Sequence, residues 1–321
     1  MGGVAMADAM TVEAARAYLD RVTTFEPPPP GFDPFRAEAR ELAAYGYPRR
    51  PDPKTEPDLF MLWEKAFRSE HEVIRAELGI DEQLLKWRQG EFGVSGWGAA
   101  VVQPSSYGLP ASELANVAYG EWTLPRVSGD PAQPSTKMAV AFWVGVDGYI
   151  LGRRQVVQGG VEATVTSTVT TTAISTVTTT VTTYVAWFEW YPAPPVSIPN
   201  LAVNEGSRVA VLLCTPAADR GFLSIQNKDT GVVTSVGFPP PPGFTSDGTS
   251  AEWAVEAVDL GAGRQLPNFG NIAFRNATAG TKNYPMDLSR ASTTDITSST
   301  SDLTHTSVDS GNVVVVWEGF R

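Results

Sequence analysis

The stretch covering residues 142–192 constrains the fold more than any other part of the chain. Aromatic, acidic and small residues alternate at both of its ends, and residues 164–183 in between are mainly Thr and Val. β-Branched residues favour strands, and successive side chains of a strand point to opposite faces of its sheet. Two groups of residues are therefore each predicted to share one face: Trp143, Gly145 and Asp147 in the first, and Trp187, Glu189 and Tyr191 in the second. With Phe188 and Trp190 on the opposite face, the pattern predicts a sheet cleft for a polar polymer, either a peptide or a sugar.

The remainder of residues 93–321 also has the pattern of strands. Short apolar runs, about twelve in number, are separated by turn signals such as Asp147-Gly148 and Asp247-Gly248. Many short strands with loop-rich connections predict a mainly β fold, a two-sheet antiparallel β-sandwich or a barrel. Residues 161–185 are interpreted as a long protruding hairpin, because apolar residues flank the Thr and Val run on both sides. The alternative is a low-complexity surface segment that is mobile or O-glycosylated.

Residues 1–92 differ from the rest and predict a helical N-terminal region. The strongest helix is predicted over residues 55–78, where apolar residues recur at helical spacing. Shorter helices are predicted over residues 10–24, 35–45 and 81–87. Such a region would have a poor core by itself, so we expect it to pack on the β domain as a propeptide, a lid or a buttress.

Charge and residue counts argue against several classes of function. The formal net charge of −11 disfavours a nucleic-acid partner, because phosphates attract clustered Lys and Arg. Cys214 is the single cysteine, so no internal disulfide is expected, and its apolar surroundings predict a buried, inert thiol. With one cysteine and two histidines, His71 and His305, neither a metal site nor another cofactor is expected. No apolar run is long enough for a transmembrane helix, so no membrane partner is expected, and residues 1–10 lack the basic start of a standard signal peptide.

Two polar residues on predicted strands are candidates for catalytic chemistry. Gln158 follows a strand and precedes two glycines, where its amide could donate a hydrogen bond to a developing oxyanion. Glu252 is predicted to face away from the core, because Trp253 and Val255 occupy the opposite face, and a carboxylate there can act as a general base on water. Taken alone, each residue is more typical of an ordinary structural role, a strand-end amide or a solvated carboxylate.

Glu189 is harder to interpret as a surface residue, because it lies among Trp187, Trp190 and Tyr191. A carboxylate among aromatic rings must be paired, hydrogen-bonded or protonated. Glu189 and Glu252 could also serve as the carboxylate pair of a glycoside hydrolase, and aromatic faces stack on sugars. The residues by themselves leave peptide and glycan chemistry open.

Several separated blocks of the sequence resemble the glutamic peptidases of the eqolisin family, fungal acid proteases with a lectin-like β-sandwich. The resemblance extends over roughly residues 93–275, and order and residue types agree across the separated blocks. The blocks are Gly96-Trp97-Gly98, Trp143 to Gly148, Val157 to Gly160, Ala186 to Pro192, the Asn227 to Gly231 turn, and Ala251-Glu252-Trp253 followed by Glu256.

The resemblance implies that Gln158 and Glu252 form a catalytic dyad. Glu252 would take a proton from the attacking water and later protonate the leaving amine, while Gln158 would stabilise the tetrahedral oxyanion. The residues expected to bind substrate or to support the dyad are Trp97, Trp143, Asp147, Glu162, Trp187, Glu189 and Tyr191. Glu162 occupies a position where the family often carries an acid.

The sequence is accordingly interpreted as a glutamic endopeptidase that cleaves polypeptides below neutral pH without a metal or cofactor. The alternatives are a carbohydrate-binding module or glycosidase on the same sandwich, and a catalytically silent relative that uses the hairpin as an interaction arm. The resemblance also implies secretion, although residues 1–10 are not a standard signal peptide. Three features depart from the fungal enzymes: the Thr and Val insertion, the lack of disulfides, and the N-terminal region, which looks like the extension of bacterial relatives.

Overall fold

Two β-sheets packed face to face form the body of the protein. The computed structural model describes residues 12–68, 71–80, 96–133, 137–149, 155–171, 174–258, 265–298 and 301–320. Among these residues, ten strands make up the first sheet and seven make up the second. The mainly β, two-sheet antiparallel sandwich predicted from the sequence is thereby confirmed.

The helices of the described residues are short. They are α1 (Val12–Leu19), α2 (Ala39–Ala44) and α3 (Pro57–Phe67), with one 3₁₀ turn at Pro104–Tyr107. The strands are β1 (Thr23–Thr24), β2 (Glu72–Val73), β3 (Gly98–Val102), β4 (Val117–Thr123), β5 (Lys137–Val146), β6 (Val156–Thr171), β7 (Thr176–Tyr191), β8 (Val196–Ile198), β9 (Arg208–Ala217), β10 (Arg220–Asn227), β11 (Val232–Phe238), β12 (Ala251–Val258), β13 (Asn271–Gly280), β14 (Pro285–Met286), β15 (Ser292–Thr294), β16 (Thr304–Asp309) and β17 (Asn312–Trp317). No helix in this described part of the chain has both the length and the apolar character that a membrane span needs.

The two sheets contain different sets of strands. The first sheet runs β1-β11-β10-β9-β4-β13-β17-β16, with β2 on β11 and β14 on β13. The second sheet runs β15-β3-β12-β5-β6-β7-β8, so its centre is formed by strands that are distant in sequence. The first sheet carries the N-terminal region on its outer face, and the second carries the polar residues singled out above.

The hydrophobic core lies between the two sheets and is built largely from Val and aromatic side chains. Phe188 of the second sheet packs on Phe238 of the first, with ring centroids 4.7 Å apart. Trp253 reaches across the core and donates its indole N–H to the carbonyl oxygen of Tyr119, at 2.7 Å. A Cβ at Gly120 would lie 3.0 Å from the Trp253 ring, so the glycine allows this close approach.

Two of the N-terminal helices, α2 and α3, cover the outer face of the first sheet. Leu62, Trp63 and Phe67 of α3 form one buried cluster with Tyr119 and Leu212, whose side chains point away from the sandwich core. Proline at the first helical position is compatible with the start of α3, since its missing N–H has no partner there in any case. α2 and α3 therefore pack on the sheet that lies away from the candidate site, whereas Tyr18 of α1 belongs to the main core.

The helix predicted over residues 55–78 is wrong in its second half. α3 ends at Phe67, and Glu72–Val73 form β2, which pairs in parallel with β11. The Ile74 N–H donates to the carbonyl oxygen of Val233 at 2.9 Å. β-Branched residues such as Val73 and Ile74 favour a strand. The edge of β11 also supplies backbone hydrogen-bond partners, and the spacing of apolar residues in the sequence does not reveal such an edge.

Further backbone pairing joins the N-terminal segment to both sheets. β1 pairs with β11 of the first sheet, and Gly79 exchanges two backbone hydrogen bonds with Ser197 of β8 in the second, at 3.0 and 2.8 Å. The helices predicted over residues 10–24 and 35–45 are present in shorter form as α1 and α2. The one predicted over residues 81–87 lies outside the described residues.

Residues 156–191 form a long antiparallel hairpin. β6 and β7 have 16 residues each and pair continuously from Val156↔Tyr191 to Thr171↔Thr176. The neighbouring strand β5 begins at Lys137, which pairs with Thr166. From that position outward the sheet is reduced to two strands, and we call this part, residues 166–181, the ribbon.

Candidate active site

Four residues on neighbouring strands form one row across the second sheet. Glu252 of β12 pairs with Gly145 of β5, Gly145 pairs with Gln158 of β6, and Gln158 pairs with Glu189 of β7. Adjacent strands lie about 4.8 Å apart, so the backbones of Glu252 and Gln158 are about 10 Å apart. Gly145 stands between them without a side chain and leaves a gap flanked by a carboxyl and an amide.

This row lies on the face of the second sheet that points away from the core, which we call the acidic face. Trp143 and Trp187 belong to a small cluster on this face, whereas Phe142, Phe188 and Trp190 lie in the main core. The alternation predicted from the sequence is therefore confirmed. The structure brings all seven of the predicted supporting residues to this face or to its margin, as the following contacts describe.

Gln158 is held by Glu189. The amide Nε2 donates a hydrogen bond to Glu189 Oε2 at 2.6 Å, and both side chains are buried. A charge-assisted bond of this length is strong in a buried setting and fixes the plane of the amide. The Oε1 atom of Gln158 has no partner among the described residues, and the second hydrogen on Nε2 remains available for a ligand.

Glu252 is fully buried, and neither of its carboxyl oxygens accepts a hydrogen bond from the described residues. Burial raises the pKa of Glu252 well above its ordinary value, and the nearby Asp147 carboxylate raises it further. The Ser250 hydroxyl acts in the opposite direction, although it does not reach hydrogen-bond geometry. The free chain thus keeps Glu252 protonated over a wider pH range than an ordinary glutamate.

Asp147 ties the end of β5 to the loop that leads into β12. Its carboxylate accepts hydrogen bonds from the Ser246 hydroxyl at 2.8 Å, from the Asp247 N–H at 2.9 Å and from the Thr249 N–H at 2.9 Å. Its own N–H donates to the carbonyl oxygen of Ser250 at 3.0 Å. Burial is the larger effect and raises the pKa of Asp147 despite these bonds. Asp147 therefore positions the strand that carries Glu252.

Aromatic side chains line the gap between the amide and the carboxyl. A Cβ at Gly145 would lie 2.7 Å from the ring of Trp143, so this position requires glycine for the indole to rest on the backbone. Trp97, which is half-buried, meets Trp143 edge to face at 4.8 Å. The indole N–H groups of Trp143 and Trp187 are buried without a hydrogen-bond partner in the described part of the chain. The same face also contains acceptors without a partner, namely Oε1 of Gln158 and both carboxyl oxygens of Glu252.

The remaining predicted residues lie on the same face but outside the row. Tyr191 is half-buried and pairs with Val156. Glu162 is also half-buried, accepts a hydrogen bond from the Thr164 hydroxyl at 2.8 Å, and is separated from Glu256 of β12 by Ala141. Glu162 and Glu256 thus form a second row that repeats the arrangement of the first.

One buried residue was not identified from the sequence. Gln155 donates to the carbonyl oxygen of Thr245 and, at 3.2 Å, to Asp247 Oδ2, and it accepts a hydrogen bond from the Trp190 indole at 3.3 Å. It anchors the same loop that Asp147 holds. No local signal distinguishes it from other polar residues at strand ends.

The residues considered for other chemistry lie elsewhere. His71 is 2.7 Å from the Tyr47 hydroxyl in the N-terminal region, and His305 lies on β16 of the first sheet. Cys214 is half-buried in the N-terminal cluster, and burial raises its pKa to about 12. Within the described ranges no group of His, Cys, Asp and Glu side chains is arranged to hold a metal ion.

Comparison with known proteins identifies the chain as a protease, a hydrolase of the glutamic peptidase type. Residues 97–317 match the model of the Peptidase A4 family, and the chain belongs to this family. The resemblance found in the sequence is thereby confirmed.

Two curated relatives and two solved structures illustrate the similarity. Aspergillopepsin-2 of Aspergillus niger is 26% identical over 257 residues, which cover 74% of this chain and 84% of the relative. Scytalidopepsin B of Scytalidium lignicola is 24% identical over 162 residues, or 50% of this chain and 51% of the relative. The fold resembles scytalido-glutamic peptidase with a transition state analog inhibitor (TM-score 0.54, 20% identity, 70% of this chain and 100% of that one). It also resembles SCP-B in a complex with the tripeptide Ala-Ile-His (TM-score 0.51, 21% identity, with the same two coverages).

Proposed function

We propose that the chain is an endopeptidase that cleaves polypeptides at acidic pH, with Glu252 and Gln158 as its catalytic dyad. The observation that carries the proposal is the row Glu252–Gly145–Gln158, in which two buried side chains with unpartnered oxygen atoms flank a glycine that has no side chain of its own. Buried groups without partners are rare in folded proteins and mark places where a ligand or water belongs. A water molecule and a peptide group fit the spacing of about 10 Å set by two strand separations.

The reaction then proceeds in two steps. Ionised Glu252 takes a proton from water, whose oxygen attacks the scissile carbonyl carbon and converts it to a tetrahedral oxyanion. The free N–H of Gln158 donates to that oxyanion, while Glu189 holds the amide plane through its hydrogen bond of 2.6 Å. Glu252 passes the proton to the leaving nitrogen as the C–N bond breaks, which releases an acid and an amine and restores the ionised base.

The related structures support a polypeptide as the substrate. The scytalido-glutamic peptidase was solved with a transition state analog inhibitor, and SCP-B with a tripeptide. The indole N–H groups of Trp143 and Trp187 are suited to donate hydrogen bonds to carbonyl oxygens of such a chain, because they have no other partner in the described residues. Trp97 and Tyr191 border the same gap and add apolar surface.

The two buried carboxyl groups make both the stability of the fold and the rate depend on pH. The pKa of Glu252 and that of Asp147 are both raised by burial, so the folded state favours their protonated forms. As the pH rises, ionisation of these buried groups lowers the free energy of unfolding, so the folded state is more stable in acid. Turnover needs ionised Glu252, so the rate falls when the pH drops below the pKa of this residue. Because that pKa is raised, the fall occurs at a higher pH than it would with an ordinary glutamate as the base.

The test is cleavage of a denatured protein between about pH 2 and 7, with the products identified by mass spectrometry. Internal cleavage that is strongest below neutral pH is expected, without added metal. Binding of oligosaccharides on a glycan array together with no proteolysis at any pH would instead favour a carbohydrate-binding protein.

We also propose that the N-terminal region is a permanent buttress. Its helices α2 and α3 pack on the outer face of the first sheet, and β1 and β2 pair with β11, so these elements stabilise the sandwich from the side opposite the acidic face. Trp63→Ala is expected to lower the free energy of unfolding by about 3–5 kcal/mol in urea denaturation, since a buried Trp is lost. Met61→Ala, on the exposed side of the same helix, should change it by less than about 0.5 kcal/mol.

N-terminal sequencing after incubation in acid checks the same proposal. The active species should still contain α3. Loss of this region at the moment activity appears would show a propeptide and contradict the buttress.

A further inference from the structure

The acidic face of the second sheet continues without a break onto the ribbon. Along β6, the side chains that share a face with Gln158 are Gly160, Glu162, Thr164, Thr166, Thr168 and Thr170. Along β7, those that share a face with Glu189 are Trp187, Val185, Thr183, Val181, Thr179 and Val177. A row of hydroxyls on one strand thus accompanies a row of alternating Val and Thr on the other, both leading away from the gap.

Large apolar side chains are exposed on this side of the ribbon. Val177 and Val181 are 53% and 55% exposed, and they continue the line that begins with Trp187 and Val185. No residue between Glu162 and Glu189 carries a charge. Exposed apolar surface on a strand without charges is unusual, because charged residues normally protect such strands from other chains.

The reverse side of the ribbon is supported at its base by the loop that follows β4. The Thr182 hydroxyl donates to the carbonyl oxygen of Val127 at 3.0 Å, and the Tyr184 hydroxyl donates to that of Pro125 at 2.7 Å. At the base of the ribbon, Thr182 and Tyr184 on the core side therefore have partners in the sandwich, whereas Val177 and Val181 do not contribute to any buried cluster of the described residues.

We propose that the ribbon is an exosite, a surface that binds an extended, uncharged segment of the polypeptide substrate at a distance from the scissile bond. This inference rests on the proposed function. Alternate side chains of an extended segment pack on the line of Val residues, and its peptide groups meet the threonine hydroxyls of β6. Continuity with the acidic face identifies the occupant, because a chain that leaves the gap along the strands comes directly onto this surface.

The reach of the ribbon sets the length of substrate that can use it. Val181 pairs with Thr166, eight residues along β6 from Gln158 and so about 26 Å away; Val177, opposite Thr170, is about 40 Å away. An extended peptide of eight residues centred on the gap reaches only about 13 Å to either side. Short peptides therefore cannot contact the exosite, and long unfolded chains can.

The composition of the ribbon also suits acidic conditions. Thr and Val do not titrate, so the surface keeps the same charge and the same hydrogen-bonding groups at every pH at which the sandwich is folded. An exosite built from carboxylates would change its affinity over the same range.

The experiment compares two double variants of the same strand. Val177→Lys with Val181→Lys alters the acidic-face side, and Thr178→Lys with Thr180→Lys places the same charges on the exposed reverse side. KM and kcat are measured at one acidic pH for an unfolded protein substrate and for an eight-residue peptide. We expect the Val variant to raise KM for the long substrate roughly fivefold, as the loss of two partly buried Val contacts implies, with kcat and the short peptide unaffected.

Each outcome bears on the inference. The control variant should behave as the wild type with both substrates, and an equal rise in KM there would overturn the exosite in favour of general charge repulsion. If the wild type cleaves both substrates and the Val variant shows an unchanged KM for the long one, the exosite is overturned and the proposed peptidase function stands. A dimer seen by sedimentation in the wild type and lost in the Val variant, with unchanged kinetics, would assign the surface to a second copy of the chain. A wild type that cleaves neither substrate overturns the proposed function and the exosite with it.

Discussion

Glu252→Gln is expected to reduce kcat/KM for peptide cleavage by about a thousandfold or more, and to raise the melting temperature at neutral pH. The loss of rate follows from the loss of the general base, which typically contributes 10² to 10⁴ in rate. The gain in stability follows from burial, because the amide cannot ionise and needs no water to solvate a charge. One substitution thus separates what the residue does for catalysis from what it does to the fold.

The pH dependence of the stability gain has a definite sign. The folded pKa of Glu252 lies above its unfolded value, so ionisation destabilises the folded state as the pH rises past the range of an ordinary glutamate. Below that range Glu252 is protonated in both the folded and the unfolded state, so there is no ionisation penalty for the substitution to remove. The melting temperatures of Glu252→Gln and the wild type should therefore converge near pH 4 and diverge as the pH rises toward 7.

Glu256→Gln is the matched control for this experiment. Glu256 lies on the same strand and the same face, four residues farther along, and it is half-buried rather than buried. It should retain peptide cleavage within a few-fold and show a much smaller change in melting temperature. Equal loss of activity in both variants, or undiminished cleavage by Glu252→Gln, would remove Glu252 from the role of base.

Gln158→Ala is expected to lower kcat by about 10² to 10³, because one donor to the oxyanion is worth about 3 to 4 kcal/mol of barrier. KM should change little, since the hydrogen bond forms fully only with the tetrahedral intermediate. The variant also leaves Glu189 buried without the amide that it now bonds at 2.6 Å, so a loss of stability accompanies the loss of rate.

Gln226→Ala separates these two effects. Gln226 is a buried amide on β10 of the first sheet, far from the row on the acidic face. Both variants should lose stability in urea denaturation, but only Gln158→Ala should lose kcat. If kcat falls with Gln226→Ala to the same extent, the loss reflects the fold and not an oxyanion donor.

Patterns of period two made much of the second sheet predictable. The alternation around Trp143 and around Trp187 assigned each residue to the correct side, since a strand has only two sides and the apolar set must face the core. Helical spacing of apolar residues failed for residues 72–78, which contain the short strand β2 (Glu72–Val73) at the edge of the first sheet and no helix. Local patterns do not record whether a sheet edge is available.

The contacts of Asp147 and Gln155 could not be predicted. Both bind the loop before β12, and that loop is about one hundred residues away in the chain. Some of their partners are backbone groups, which every residue possesses, and the others are common polar side chains, so no residue type signals these contacts.

The sequence by itself determined the fold class and the residues that share the acidic face, because strand periodicity and the order of the family's blocks are local properties. Only the tertiary structure decided that Glu252 and Gln158 flank Gly145 in one row, since the register of strands distant in sequence depends on core packing that no single segment contains. It also decided that the Thr and Val insertion extends this face by two strands, with exposed Val residues on one side. Which residues are neighbours across a sheet depends on how the strands pair, and that pairing depends on the packing of the whole chain.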